Sequence, residues 1–255
     1  MKLPEVSRNY DRLAPFYDFW DRWLSQPIAG MDALREQTVA RLDLGPGDHV
    51  LDVGCGTGLN LPRLVEAVGP TGMVVGLDYS VGMLTEARER VRRAGWDNVR
   101  LVQGDAADLA GMEGPFDAVL GTWALGIVDD LPAALRSAVS VLRPGGRLAI
   151  LDLHRTRAPS GLRRRLVDPV LHAVLRWSGV DSAEDLDDER LQRRWAEGKT
   201  YLRDALVDVH EAENVDGAGF LLTGSAPWVA DSPVAGECAP PSRRAYGCCS
   251  PSSTP

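Results

Sequence analysis

One glycine run and one carboxylate stand at a spacing that suits a nucleoside-like ligand. Gly54, Gly56 and Gly58 punctuate Asp52-Val53-Gly54-Cys55-Gly56-Thr57-Gly58, directly after the apolar pair Val50-Leu51. Glycines between a buried strand and a helix serve two needs: dihedrals that other residues avoid, and close approach of a ligand to main-chain N–H groups. Roughly twenty residues on, Met73-Val74-Val75-Gly76-Leu77 ends in Asp78. An acid at that place in a nucleotide-binding α/β sheet accepts from the two hydroxyls of a ribose. The glycine spacing is GxGxG, and a dinucleotide fingerprint would need its third glycine where Leu59 stands. That spacing speaks against an oxidoreductase binding NAD, which is kept as an alternative.

The elements that must hold these residues are legible from apolar period. Residues 50–53, 73–78, 99–103, 116–121 and 147–153 read as strands. Between them, Leu59, Leu61, Leu64, Val65 and Val68, then Leu84, Ala87, Val91 and Ala94, then Leu131, Leu135, Ala138 and Leu142 follow helical spacing. Ser80 suits an N-cap, Asp129 or Asp130 another, and Gly95 a C-terminal stop, while Pro144-Gly145-Gly146 ends the third helix. Strand and helix alternating at this rhythm mean a parallel sheet covered on both faces. Ahead of it, residues 5–23 read as a helix interrupted near Pro15, and 31–44 as a helix with Leu34, Val39 and Leu42 inward. Residues 206–213 and 218–224 read as a terminal hairpin around Asn-Val-Asp-Gly.

Four motifs in order carry a resemblance over roughly residues 45 to 155. Asp52–Gly58, Gly76-Leu77-Asp78-Tyr79-Ser80, Gln103-Gly104-Asp105-Ala106 and Leu142-Arg143-Pro144-Gly145-Gly146-Arg147-Leu148 resemble the successive motifs of class I S-adenosylmethionine-dependent methyltransferases. Tyr10-Asp11-Arg12-Leu13-Ala14-Pro15-Phe16-Tyr17-Asp18 is similar to the N-terminal segment of the ubiquinone/menaquinone-biosynthesis group, which folds over the cofactor with its tyrosines facing the site. Two departures from that group stand out. Trp20 to Leu24 lacks its Asn, Ser and His, and Asp152-Leu153-His154 stands where it carries Glu and Ser.

The resemblance implies a Rossmann-like, doubly wound, seven-stranded α/β sheet, mostly parallel, with helices on both faces, an antiparallel terminal hairpin and a helical cap insertion over about 155–205. It also implies S-adenosylmethionine as cofactor and roles by position. Asp52 and the Gly54, Gly56, Gly58 turn would hold the methionine amine and carboxylate. Asp78 would bind the ribose, with Tyr79 and Met83 near the adenine, Asp105 accepting from its amino group and Ala106 offering its N–H. Asp52, Asp78, Asp105, Gly121 and Asp152 all fall at or near strand carboxyl ends, where open parallel sheets bind ligands. Methyl transfer asks the protein mainly to align the reactants and exclude water, so a base is needed only for a protonated acceptor. Tyr17, His154 and Thr122-Trp123 are the candidates for base or acceptor contact.

Composition bounds the rest. A net charge of −8, from 28 basic and 36 acidic residues, argues against a general nucleic-acid-binding surface. Met1 to Tyr10 does not read as a signal peptide, and no stretch reaches the ~20 apolar residues of a membrane span, so a cytoplasmic protein is expected. Cys55 reads as a small residue in a crowded turn. Cys238, Cys248 and Cys249 lack zinc-site spacing, and no metal is expected. Residues 162–177 set Arg163, Arg164, Arg165 and Arg176 against an apolar face. That pattern suits a cap helix, or a peripheral contact with an anionic membrane. The expected organisation is an N-terminal helical segment over the site (1–44), a methyltransferase domain (45–225) and a disordered tail (226–255). The partner expected is a small, apolar acceptor, quinone-precursor-like or lipid-like. A non-catalytic protein that binds S-adenosylmethionine as a regulator is the third reading.

Overall fold

Strand β1 (His49–Val53) shows how the molecule is layered. Val50 faces one side of the sheet with Ala118, Leu120 and Ala149, under Val39, Leu61, Leu64 and Val68. Leu51 and Val53 face the other, with Val119, Leu131, Leu135, Trp195 and Phe220. Alternation along a strand buried on both faces separates two apolar layers, which is the doubly wound arrangement. The computed structural model describes residues 3–20, 30–155 and 188–228.

The elements run α1 (Leu3–Trp20), α2 (Met31–Arg41), β1, α3 (Leu61–Val68), β2 (Met73–Asp78), α4 (Val81–Ala94), β3 (Val99–Gln103), β4 (Phe116–Thr122), α5 (Leu131–Ser140), β5 (Leu142–Leu153), α6 (Asp188–Ala205), β6 (Val207–Asn214) and β7 (Gly219–Ser225). Seven strands form one sheet in the order β3-β2-β1-β4-β5-β7-β6. The first five are parallel; β7 pairs antiparallel with β5 and β6. The strand order reverses between β1 and β4, so a crevice opens at the carboxyl ends of β1, β2 and β4.

Caps hold the helices where the sequence marks them. Ser80 Oγ accepts from Met83 N at 3.1 Å, Asp130 Oδ1 from Ala133 N at 2.8 Å, and Gly95 closes α4 in the left-handed region. Three expectations are corrected. The first helix runs unbroken through Pro15. β5 begins at Leu142 rather than Arg147, with a register shift opposite Phe116–Ala118 that accommodates Pro144-Gly145-Gly146. The chain is still hydrogen-bonded to the sheet at Ala226, where the tail was expected to begin, Ala226 N donating to Gly146 O and Ala226 O accepting from Gly145 N. Of the expected cap, only α6 is described; the 162–177 segment, the tail cysteines and Trp20 to Leu24 lie outside the residues whose side chains are described. No helix among the described residues is long and apolar enough to cross a membrane.

Candidate functional site

At the switch between β1 and β4 the molecule opens into a partly open cavity. Gly54, Gly56, Asp78, Tyr79, Met83, Asp105 and Ala106 line it, and so do Tyr17, Trp123 and Thr122. Four expected residues do not. Asp52 lies fully buried beneath the floor, Gly58 packs on Leu61, and Gly121 packs on Leu125. His154 lies toward the terminal hairpin, with Nε2 3.0 Å from Gly217 O and Nδ1 3.4 Å from Lys199 Nζ, its ring stacked on Phe220. Burial lowers its pKa, and its surroundings explain it as a packing residue.

The glycine turn is wired inward. Gly54 N and Cys55 N both donate to Leu77 O, at 2.7 and 2.9 Å, and Gly58 N donates to Cys55 O at 2.9 Å. Gly56 N donates to Asp78 Oδ2 at 2.8 Å. These amides are satisfied within the fold, so the turn is not the nest of free N–H groups that a pyrophosphate requires. The glycines differ in purpose. A Cβ on Gly54, at φ +70°, would lie 2.3 Å from Ala124 Cβ, whereas one on Gly56, at φ +55° in the cavity lining, would meet nothing within 4 Å. Cys55 is buried, and burial pushes its thiol pKa well up, so it is inert filling.

Asp78 ties the turn to the next helix, with Oδ1 accepting from Ser80 N at 2.8 Å. Burial raises its pKa against these backbone bonds. Asp105 Oδ1 accepts from Ala107 N at 2.9 Å and fixes the turn that presents Ala106. Met83 is buried, with Tyr79 beside it on the cavity wall.

Sequence reasoning missed a buried polar group at the floor. Asn60 Nδ2 donates to both oxygens of Asp52 at 3.2 Å and to Thr122 Oγ1 at 2.9 Å. Arg35, on α2, is 3% exposed and lines the cavity. Burial pushes the Asp52 pKa up to about 7, against the opposing pull of Asn60 and Arg35. Asn60 Oδ1 is buried with no hydrogen-bond partner among the described residues. The signal was present in outline: Arg35, Thr38, Val39 and Leu42 fall at i, i+3, i+4 and i+7, and all four are buried.

Helix α1 roofs the site. Asp11 Oδ1 accepts from Ser80 Oγ at 2.6 Å and Gly82 N at 2.8 Å, and a side chain at Gly82 would strike Asp11 Cα. Asp18 accepts from Thr57 Oγ1 at 2.6 Å and pairs with Arg90. One carboxylate thus grips the first turn of α4 and the other grips the glycine turn. Between them Tyr10 and Tyr17 line the cavity. Burial, reinforced by Tyr17, Asp78 and Asp152, drives the Tyr10 pKa far above its usual value, so its phenol stays protonated. Among the described residues no three His, Cys, Asp or Glu side chains are placed to hold a metal.

Comparison with known proteins agrees with this geometry. Residues 50–146 match the family model described as a methyltransferase domain. A demethylmenaquinone methyltransferase of Listeria welshimeri is 34% identical over 158 residues, covering 62% of this chain and 66% of that protein. A 2-phytyl-1,4-naphtoquinone methyltransferase of Nostoc is 35% identical over 152 residues, covering 59% of this chain and 66% of its own. The matches thus span just under two thirds of these relatives. A putative S-adenosyl-L-methionine-dependent methyltransferase of Methanococcus maripaludis shares the fold, with a TM-score of 0.60 at 18% identity over 88% of this chain and 95% of its own. Residues 50–146 are thus similar to a methyltransferase domain, and the fold is shared with a protein described as an S-adenosyl-L-methionine-dependent methyltransferase.

The cofactor this class implies fits the residues present. Its α-ammonium would meet an orphaned buried acceptor in Asn60 Oδ1, its carboxylate a buried cation in Arg35, and its ribose the Asp78 carboxylate, over a glycine whose missing Cβ leaves the space open.

Proposed function

We propose that the protein transfers a methyl group from S-adenosylmethionine to a small, flat, largely apolar acceptor of the quinone-precursor kind. The observation that supports this reading is a cavity of two characters. Toward β2 and β3 it is lined by Asp78, Asp105 and the glycine turn. Toward β4 and α1 it is lined by Tyr10, Tyr17, Trp123, Leu125, Ile127 and Val128. The first half suits an adenosine bearing an amino acid, the second a planar apolar ring. The relatives named for naphthoquinone-type acceptors support the same substrate class.

When bound, the cofactor supplies an electrophilic methyl group on a sulfonium. The chain's part is alignment and dryness. Asp78 and Arg35 would fix the two ends of the cofactor, and α1, latched through Asp11 and Asp18, would close the roof and exclude water. Burial keeps Tyr10 protonated, so it can donate a hydrogen bond but cannot take a proton. No histidine lines the cavity among the described residues. An acceptor that arrives already ionised, such as a hydroquinone monoanion, would need no base here.

The test is incubation of the full chain with methyl-labelled S-adenosylmethionine and demethylmenaquinol in detergent micelles. Label in the extracted quinone is expected. Cofactor binding without transfer to this or to simpler naphthoquinols would contradict the acceptor class.

A further inference from the structure

The segment after β4 has a feature that holding the cofactor does not require. Trp123 sits one residue past β4 at φ +57°, in the left-handed region that bulky side chains avoid. This is no frayed end, because Trp123 N still extends the ladder to Leu151 O at 2.8 Å. The residues that follow are held from two sides. Asp152 Oδ2 accepts from Gly126 N at 2.9 Å. Arg194, on α6, donates to Gly126 O at 3.2 Å and to Val128 O. A carboxylate takes the loop's N–H and a guanidinium takes its carbonyls, so the loop that follows the strained residue is held from both directions.

Trp123 lines the cavity, and its indole Nε1–H is shielded from water with no acceptor among the described residues. A buried indole N–H normally finds a partner, and leaving one unpaired is costly. Strain of this kind, over-determined by its surroundings, is found where a site uses it. Its neighbours Leu125, Ile127 and Val128 offer nothing polar from their side chains.

We infer that Trp123 is the specificity-determining residue for the acceptor, its indole N–H donating to an oxygen on an otherwise apolar planar ring. The inference rests on the methyl-transfer reading and adds to it the residue that orients the acceptor. Asp152 and Arg194 act through the backbone of the loop and are positioning residues. An amine or thiol acceptor gains little from an indole donor on this wall; a phenolic or quinoid oxygen gains most.

The test uses the full chain, ¹⁵N-labelled and saturated with S-adenosylhomocysteine, titrated with 1-naphthol and separately with naphthalene, the same ring with and without oxygen. The chain has 7 tryptophans, so the Trp123 indole resonance is assigned by its loss in Trp123→Phe. The expected result is a downfield shift of that resonance with 1-naphthol alone. In Trp123→Phe, 1-naphthol affinity is expected to fall about fivefold, the size of one hydrogen bond, with S-adenosylhomocysteine affinity unchanged. The unchanged affinity also shows that the variant folds. An unmoved resonance, an equal shift with naphthalene, or equal loss of both ligands in the variant overturns the inference while leaving the methyl-transfer reading in place. Failure of S-adenosylhomocysteine to bind the parent chain would instead defeat both.

Discussion

Gly54 and Gly56 stand two residues apart in the same turn and are glycine for different reasons. Gly54→Ala would drive a Cβ into Ala124 at positive φ, so it is expected to destabilise the fold by about 2 kcal/mol or more, read as a lower urea midpoint. Gly56→Ala meets no protein atom; its stability cost is expected to be only the left-handed penalty of about 1–2 kcal/mol, while S-adenosylhomocysteine affinity collapses in calorimetry. Equal effects of the two on binding and stability would contradict the division. Asp78, proposed to hold the ribose, is expected to follow a pH rule. Burial raises the Asp78 pKa, and only the ionised form accepts from two hydroxyls, so affinity is expected to fall on the acid side as that carboxyl protonates. Asp78→Asn should remove that pH dependence.

Two further carboxylates set the stability of the elements that carry the site. Asp52 on β1 and Asp152 on β5 are buried, with pKa values pushed up to about 7 and about 6. In the unfolded chain both titrate near 4, so between there and neutrality the folded state binds more protons. Their contribution is fully present below the unfolded pKa and is lost as pH rises through the folded values. Unfolding free energy should therefore decline from about pH 4 to 7, by on the order of 3–4 kcal/mol per group, and Asp152→Asn should flatten part of that slope. Helix α1 gives a separate prediction. Asp11→Ala removes the acceptor for Ser80 Oγ and Gly82 N, so amide exchange should rise along α1 while the central strands stay protected. Affinity for S-adenosylhomocysteine should fall a few-fold as the roof loosens.

Across the whole molecule, what could be read in advance followed period and cap chemistry. β1 and β2 were legible because both faces are buried and their apolar runs end at turn residues, and the half-exposed edge strand β3 because its residues alternate. Ser80, Asp130 and Gly95 were legible because the capping side chain or glycine is local to the helix it ends. Pro15 misled, because its missing N–H would normally leave the Asp11 carbonyl stranded. Here α1 is held by bonds from outside itself, the Asp11 carboxylate accepting from Ser80 Oγ and Gly82 N and the Asp18 carboxylate from Thr57 Oγ1. His154 misled for a similar reason: the strand end that carries it faces the antiparallel hairpin, where Phe220 and Lys199 pack on it. Asn60 and Arg35 could not be recognised as site residues from spacing alone. Their meaning comes from Asp52, which alternation turns toward the α2 and α3 face of the sheet.

The central claim is that this crevice seats an amino-acid-bearing adenosine gripped at its sugar by Asp78 and at its amino-acid end by Arg35 and Asn60. Titration calorimetry of the full chain with S-adenosylhomocysteine, beside Asp78→Asn and Asn60→Leu, tests it most directly. One-to-one binding is predicted, weakened about tenfold or more in each variant, as expected for charge-assisted hydrogen bonds lost from a buried site. Binding that is absent from the parent chain, or that both variants keep at full strength, would contradict the account.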